Sequence, residues 1–172
     1  QTGNNWPLIL YKKYFCGAEE MLTLAPAEMA CFLADGTGDG ICIDNADGSV
    51  DVTSLMFGIL QTMGLRRTKA EFIACPTCGR TSYDVEGTLG LITRQLSHLK
   101  HLKIGVMGCV VNGPGEMADA DYGYVGASAG KINLYRKKQV VLKNIDESLA
   151  LEELIQLIKE DGKWTEPLPP NK

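Results

Sequence analysis

Hydrophobic positions along the chain alternate between strand-like runs and helical stripes. Leu8-Ile9-Leu10-Tyr11, within a stretch from Pro7 to Phe15, suits a strand. Pro26 to Leu33 reads as a short helix with proline near its first turn, where a missing N–H costs little. The glycine cluster Asp35 to Gly40 precedes a short apolar run, Ile41-Cys42-Ile43. Asp51 is placed to cap a helix whose Leu55, Met56, Ile59, Leu60 and Met63 recur at helical spacing, with Gly64 as its stop.

From about Lys69 the pattern is more self-contained. Phe72-Ile73-Ala74 predicts a strand leading into Cys75. Val85, Leu89, Ile92, Leu96 and Leu99 step by four, three, four and three, one continuous stripe on an amphipathic helix. Ile104 to Met107 reads as a buried strand. Tyr122 to Val125, Lys131 to Tyr135 and Gln139 to Leu142 give three more, the last two joined by a tight polar turn. Asp146 or Ser148 caps a final helix carrying Leu151, Leu154, Ile155 and Ile158, and Gly162 ends it. Trp164 to Lys172 holds three of the seven prolines and is expected to be a loose end.

Strand, helix, strand, three strands, helix predicts an α/β (α+β) domain, a mixed sheet flanked by helices, over residues 66–172. Residues 1–65 are too few for a convincing core of their own. They read as one or two β/α units, the C-terminal end of a preceding, barrel-like domain with its linker.

Composition narrows the functions open to this chain. With 17 Lys+Arg against 21 Asp+Glu, its net charge is -4, so it lacks the basic face that nucleic acid requires. The apolar runs fall far short of a membrane span, and Gln1 to Pro7 carries no export pattern. A cytoplasmic location is therefore expected. Six cysteines in 172 residues are too sparse for a disulfide scaffold, which leaves reduced thiols that are buried or ligate metal.

The strongest chemical signal is Cys75-Pro76-Thr77-Cys78-Gly79-Arg80. Two cysteines separated by two residues can turn both sulfurs toward one ion. A redox pair needs a helix starting at the first cysteine, whereas Pro76 and Gly79 suggest an open knuckle. A structural zinc site usually needs a second paired knuckle, and there is none. An iron–sulfur cluster accepts one pair plus distant single cysteines, which suits this chain, but the pair alone leaves both open, with zinc ahead of a cluster. Cys109 ends a predicted strand, and the Gly113-Pro114-Gly115 turn brings Glu116 back toward it. Glycines crowded around one cysteine suggest backbone wrapped closely around a bulky object.

CPTCGRT (75–81) together with MGCVVNGPGEMADADYGYVG (107–126) closely resembles the C-terminal domain of the GcpE/IspG family of iron–sulfur diphosphate synthases. The resemblance runs from about Lys69 to Trp164. It implies a fold like the cluster domain of sulfite and nitrite reductases, with a TIM barrel elsewhere in the full-length enzyme. Residues 1–65 resemble the end of the extra middle domain of plant-type members, so the chain reads as a fragment, inactive by itself.

Carried over by position, the resemblance assigns Cys75, Cys78 and Cys109 as thiolate ligands of a [4Fe–4S] cluster. It assigns Glu116 as the carboxylate on the fourth iron and Asn112 as a residue beside cluster and substrate. The implied reaction is reductive ring opening of 2-C-methyl-D-erythritol 2,4-cyclodiphosphate to 4-hydroxy-3-methylbut-2-enyl diphosphate, in non-mevalonate isoprenoid biosynthesis in the bacterial cytoplasm. The implied partners are flavodoxin or ferredoxin as electron donor and a second subunit in a homodimer. A structural zinc module and a pure electron-transfer domain are the rival readings.

Other features are expected to be structural. Cys31 and Cys42 read as buried thiols, and Cys16 has no spacing that suits a site. Asp35 to Gly40 lacks dinucleotide-loop spacing. His98 and His101 read as solvated. Met107 reads as core, and Asp119 and Asp121 as turn caps. Arg80 is the one basic residue placed close enough to the knuckle to meet an anionic substrate.

Overall fold

In the computed structural model, residues 6–167 are described, and the last residues of the expected loose tail lie outside that range. The chain divides into two compact units, 1–68 and 69–172.

In the first unit, β1 (Ile9–Tyr14) and β2 (Gly40–Asn45) pair in parallel, joined by α1 (Ala18–Ala34) and followed by α2 (Val52–Thr62). Tyr14 and Ile43 form a small core with Met21, Ala25, Met29, Leu33 and Ile59. Asp51 caps α2 by accepting hydrogen bonds from the Thr53 and Ser54 N–H groups, each 3.1 Å. Gly64 follows with φ 69°, a left-handed conformation that glycine adopts without strain.

Two expectations fail in this unit. The helix expected over 26–33 begins at Ala18, with Pro26 in its interior. Met21, Ala25, Met29 and Leu33 recur every four residues as one buried stripe, and that burial outweighs the hydrogen bond proline cannot donate. The carbonyl so released belongs to Leu22, which is exposed and can meet water. Cys31 and Cys42, expected to be buried, are exposed. Cys42 pairs in register with the exposed Tyr11, on the opposite face of the ladder from the buried Ile43.

The second unit is a five-stranded mixed sheet in the order β3-β4-β5-β6-β7. Its strands are β3 (Glu71–Ala74), β4 (Lys103–Met107), β5 (Tyr122–Ser128), β6 (Lys131–Arg136) and β7 (Gln139–Asp146). The first three run parallel and the last three antiparallel. A crossover helix, α3 (Val85–Leu96), joins β3 to β4, and α5 (Glu147–Glu160) closes the chain. Val85, Ile92, Leu96 and Leu99, all on the predicted stripe, are buried.

Strand alternation gives the sheet two unlike faces. Ile104, Val106, Tyr122, Tyr124, Ile132 and Leu134 share one core with α3 and with Ala150, Leu154, Leu157 and Ile158 of α5. On the other face Met107, Val125 and Tyr135 pack with Met117 and Ala120 of the β4–β5 connection. That connection holds a short helix, α4 (Gly113–Glu116), where the sequence suggested only a turn.

β7 extends four residues beyond its predicted end at Leu142, to Asp146. Asp146 is the N-cap of α5, but its side chain makes no cap hydrogen bond and pairs with Lys131 at 2.5 Å. His98, expected to be solvated, is half-buried, with its ring edge-on to Trp164 at 5.1 Å. Its Nε2 has no hydrogen-bond partner among the described residues. No helix among the described residues is long and apolar enough to cross a membrane.

Leu154 is fully buried in this core, whereas Leu149 on the same helix is 50% exposed. Leu154→Ala is expected to lower unfolding free energy by roughly 2–5 kcal/mol in urea titration. Leu149→Ala is expected to change it by no more than about 0.5 kcal/mol.

Candidate functional site

Parallel pairing carries the two cysteine-bearing loops to the same edge of the sheet. Ala74 is in register with Val106, so Cys75 leaves β3 where Met107, Gly108 and Cys109 leave β4. In an α/β sheet this edge, outside the carboxyl ends of parallel strands, is where ligands characteristically bind. The charged groups of the same three strands lie at their amino ends. There Lys103 pairs with Glu71 at 2.8 Å and Asp119 at 2.5 Å, and Asp121 accepts from the Lys103 backbone at 3.0 Å. Asp119 and Asp121 thus hold a loop to a strand and take no part in the thiol edge.

The two loops are fastened together by backbone. Cys75 N–H donates to the Val106 carbonyl at 3.4 Å, and Gly108 N–H donates to Cys75 Sγ at 3.1 Å. Ser82 N–H donates to the Gly108 carbonyl at 3.2 Å, and the Tyr83 hydroxyl to the Met107 carbonyl at 3.1 Å. Thr81 folds the knuckle: its Oγ1 accepts from Cys78 N–H at 3.0 Å, and its own N–H donates to the Cys78 carbonyl at 2.9 Å.

The glycines explain how closely these segments approach. A Cβ on Gly126 would collide with the Gly108 carbonyl and Ser82 Oγ; one on Gly108 would sit 2.8 Å from Thr81 Oγ1. One on Gly113 would sit 2.7 Å from Met107 Cβ. At these three positions the tightness expected around a bulky object is tightness against the protein's own atoms. Gly79 and Gly115 face open space.

Six residues concern the site chemistry. Cys75 and Cys109 are half-buried, Cys78 is exposed, and all three are free thiols. Glu116, at the end of α4, and Asn112, just before it, are exposed. The Asn112 carbonyl accepts from the Gly115 and Glu116 N–H groups at 3.0 and 3.1 Å, while its side chain makes no cap bond. Arg80 links these groups electrostatically. Its backbone N–H and its guanidinium both hydrogen-bond Cys78 and hold that thiol below its ordinary range. The Cys78, Cys109 and Glu116 charges in turn act on the guanidinium. Among the described residues no three Cys, His, Asp or Glu side chains are close enough, as they stand, to enclose a metal ion. The three thiols lie on the two loops that leave β3 and β4 and do not form a closed cage.

Sequence reasoning identifies Arg80 as a cation for an anionic substrate but not its hold on the Cys78 thiol. It missed Ser82, Tyr83 and Met117 entirely. The available signal was Gly105 and Gly123, two glycines inside strands, which mark a close approach by another part of the chain.

An α+β domain with three free thiols and a carboxylate on loops at one sheet edge belongs to the class that offers soft and hard donors together. Comparison makes the assignment specific. Residues 71–160 match the GcpE protein C-terminal domain family, and the chain belongs to that family. It is 52% identical over 166 residues to the 4-hydroxy-3-methylbut-2-en-1-yl diphosphate synthase (flavodoxin) of Parabacteroides distasonis, covering 95% of this chain and 27% of the relative. The enzyme of the same name from Porphyromonas gingivalis is 51% identical over 168 residues (96% and 29%). That from Chlorobaculum tepidum is 44% identical over 169 residues (98% and 23%). The chain thus spans about a quarter of the length of these curated relatives.

Arg80→Ala is expected to move the Cys78 thiol pKa upward, because both the charge and a hydrogen bond that favour thiolate are lost. In the metal-free chain the pH midpoint of Cys78 alkylation, read by mass spectrometry, then shifts to higher pH. An unchanged midpoint would contradict the electrostatic role given to Arg80.

Proposed function

We propose that the chain is the cluster-holding part of a 4-hydroxy-3-methylbut-2-en-1-yl diphosphate synthase. Cys75, Cys78 and Cys109 are its thiolate ligands for a [4Fe–4S] cluster, and Glu116 is the exchangeable carboxylate ligand. The observation that carries this reading is the fastening of the β3 and β4 loops, with the Gly108 N–H on Cys75 Sγ at 3.1 Å. Fixed loops give three soft donors a constant separation, and hydrogen bonds to sulfur tune what the sulfurs bind.

The donor set fits such a group. Three thiols suit iron held in a sulfide-bridged cluster, and a carboxylate is a harder, weaker ligand for the remaining position. The cluster, when bound, supplies electrons and a Lewis-acidic iron for reductive C–O cleavage of 2-C-methyl-D-erythritol 2,4-cyclodiphosphate. The chain's own residues provide the rest of the site. Val110, Val111 and Asn112, which follow Cys109 directly, are exposed. Arg80 offers a cation to an anionic ligand there. A single arginine in a chain of net charge -4 does not neutralise a diphosphate, so the remaining cations come from the barrel of the full-length homodimeric enzyme.

Residues 1–68 belong to the domain before the cluster domain in this reading. A parallel pair with one face in a core and Ile9, Tyr11 and Phe15 exposed on the other suits a piece of a larger sheet. The relatives' names support flavodoxin as electron donor, with ferredoxin as the alternative, and the setting is the bacterial cytoplasm.

Anaerobic loading of the chain with iron and sulfide tests the proposal. The expected product is brown, with broad visible absorption and about four irons and four sulfides per chain. Replacing Cys75, Cys78 or Cys109 with Ser is expected to prevent its formation. A colourless protein with one tightly bound zinc would overturn the proposal in favour of a structural module.

A further inference from the structure

We infer that Met117 is a positioning residue: it lies in a notch made by Gly105 and Gly123 and thereby fixes where the Glu116 carboxylate stands at the thiol edge. The inference rests on the reading of Glu116 as a cluster ligand. Its evidence lies elsewhere, in the packing beneath α4.

Gly105 and Gly123 are register partners on the adjacent strands β4 and β5. Both lie on the sheet face away from α3 and α5, where alternation puts Met107 and Val125. Glycine inside a central strand weakens it, so two side by side mark a place where something else must fit. Here that is Met117, only 1% exposed. A Cβ on Gly105 would sit 2.6 Å from Met117 Cβ and 2.9 Å from its Sδ. A Cβ on Gly123 would collide with Met117 Sδ and Cε. The methionine thus lies flat across both strands, with Tyr135 beside it at the same register as Gly123. An unbranched, polarizable side chain suits a slot of this shape.

Glu116 immediately precedes this anchor. Met117 N–H donates to the Gly113 carbonyl at 3.0 Å, so Glu116 and Met117 belong to one helical turn. Consecutive side chains on such a turn point about 100° apart. With Met117 turned into the sheet, Glu116 is turned away from it and is exposed. The other end of the turn is held too, because Gly113 is pressed against Met107 and Val125. Pro114, Gly115 and Glu116 therefore form a short bridge between two buried footings. The chain beyond is tied down by Asp121 N–H donating to the Lys103 carbonyl at 2.7 Å.

The test uses the full chain loaded anaerobically with iron and sulfide and then exposed to a ferrous-iron chelator. Release of a single iron is followed by the paramagnetic signal of the three-iron product. Far-UV circular dichroism and initial iron content control for folding. Met117→Ala is expected to fold, to take up its full iron, and to release one iron about 10-fold to 100-fold faster, as loss of an outer support typically does. Its rate should approach that of Glu116→Ala, and the double variant should be no faster than Glu116→Ala alone. Met117→Leu keeps the core volume but lacks the terminal methyl group that reaches Gly123, so it should accelerate release by a smaller factor. It also serves if the alanine chain does not fold.

Release at the wild-type rate in the folded variants would overturn the inference while leaving the cluster reading intact. Equal acceleration in the Glu116→Ala background would also overturn it, because it would indicate general loosening. A wild-type chain that binds no cluster would overturn the underlying reading, and the inference with it.

Discussion

Everything at the candidate site depends on the parallel pairing of β3 with β4. The Ala74–Val106 register brings two loops, more than thirty residues apart in sequence, to one edge of the sheet. The pairing continues past the strands as hydrogen bonds, with Cys75 and Ser82 donating to β4 and its following residue and Gly108 donating back to sulfur. An antiparallel arrangement would send the two loops to opposite edges. The crossover helix α3 makes the parallel arrangement possible, and its buried stripe holds the crossover against the sheet.

The unlike faces of the sheet divide the work. One carries the large side chains that stabilise the unit, packed under α3 and α5. The other carries Gly105 and Gly123, which give up packing volume so that the β4–β5 connection can lie close. Stability thus comes from the face remote from α4, and geometry from the face beneath it. Charge is segregated as well: Lys103, Glu71 and Asp119 pair at the amino ends of β3, β4 and β5, while Arg80 interacts with Cys78, Cys109 and Glu116.

Much of this was legible in the sequence because it follows period. The stripe from Val85 to Leu99, the alternation in β5 and β6, and Asp51 as a cap all depend on near neighbours. Where the sequence misled, tertiary context decided. Pro26 lies within a helix because a buried methionine and alanine stripe holds it there. Cys31 and Cys42 have apolar neighbours in sequence, yet both are exposed, Cys42 because strand alternation turns it away from the face of Ile43. His98 is drawn against Trp164, a contact between residues far apart along the chain. The cysteine motifs were plain from spacing. The supports from Ser82, Tyr83 and Met117 were not, since each acts on a strand it does not belong to.

The central claim is that thiols from two loops and one carboxylate serve a single cluster. Mössbauer spectroscopy of the chain loaded with iron-57 and sulfide reads it most directly, because each iron reports its own ligands. The account predicts three irons in thiolate environments and one distinct iron, with the distinction lost on replacing Glu116 by Cys. Four equivalent irons in the wild-type chain, or a mononuclear iron spectrum, would contradict it.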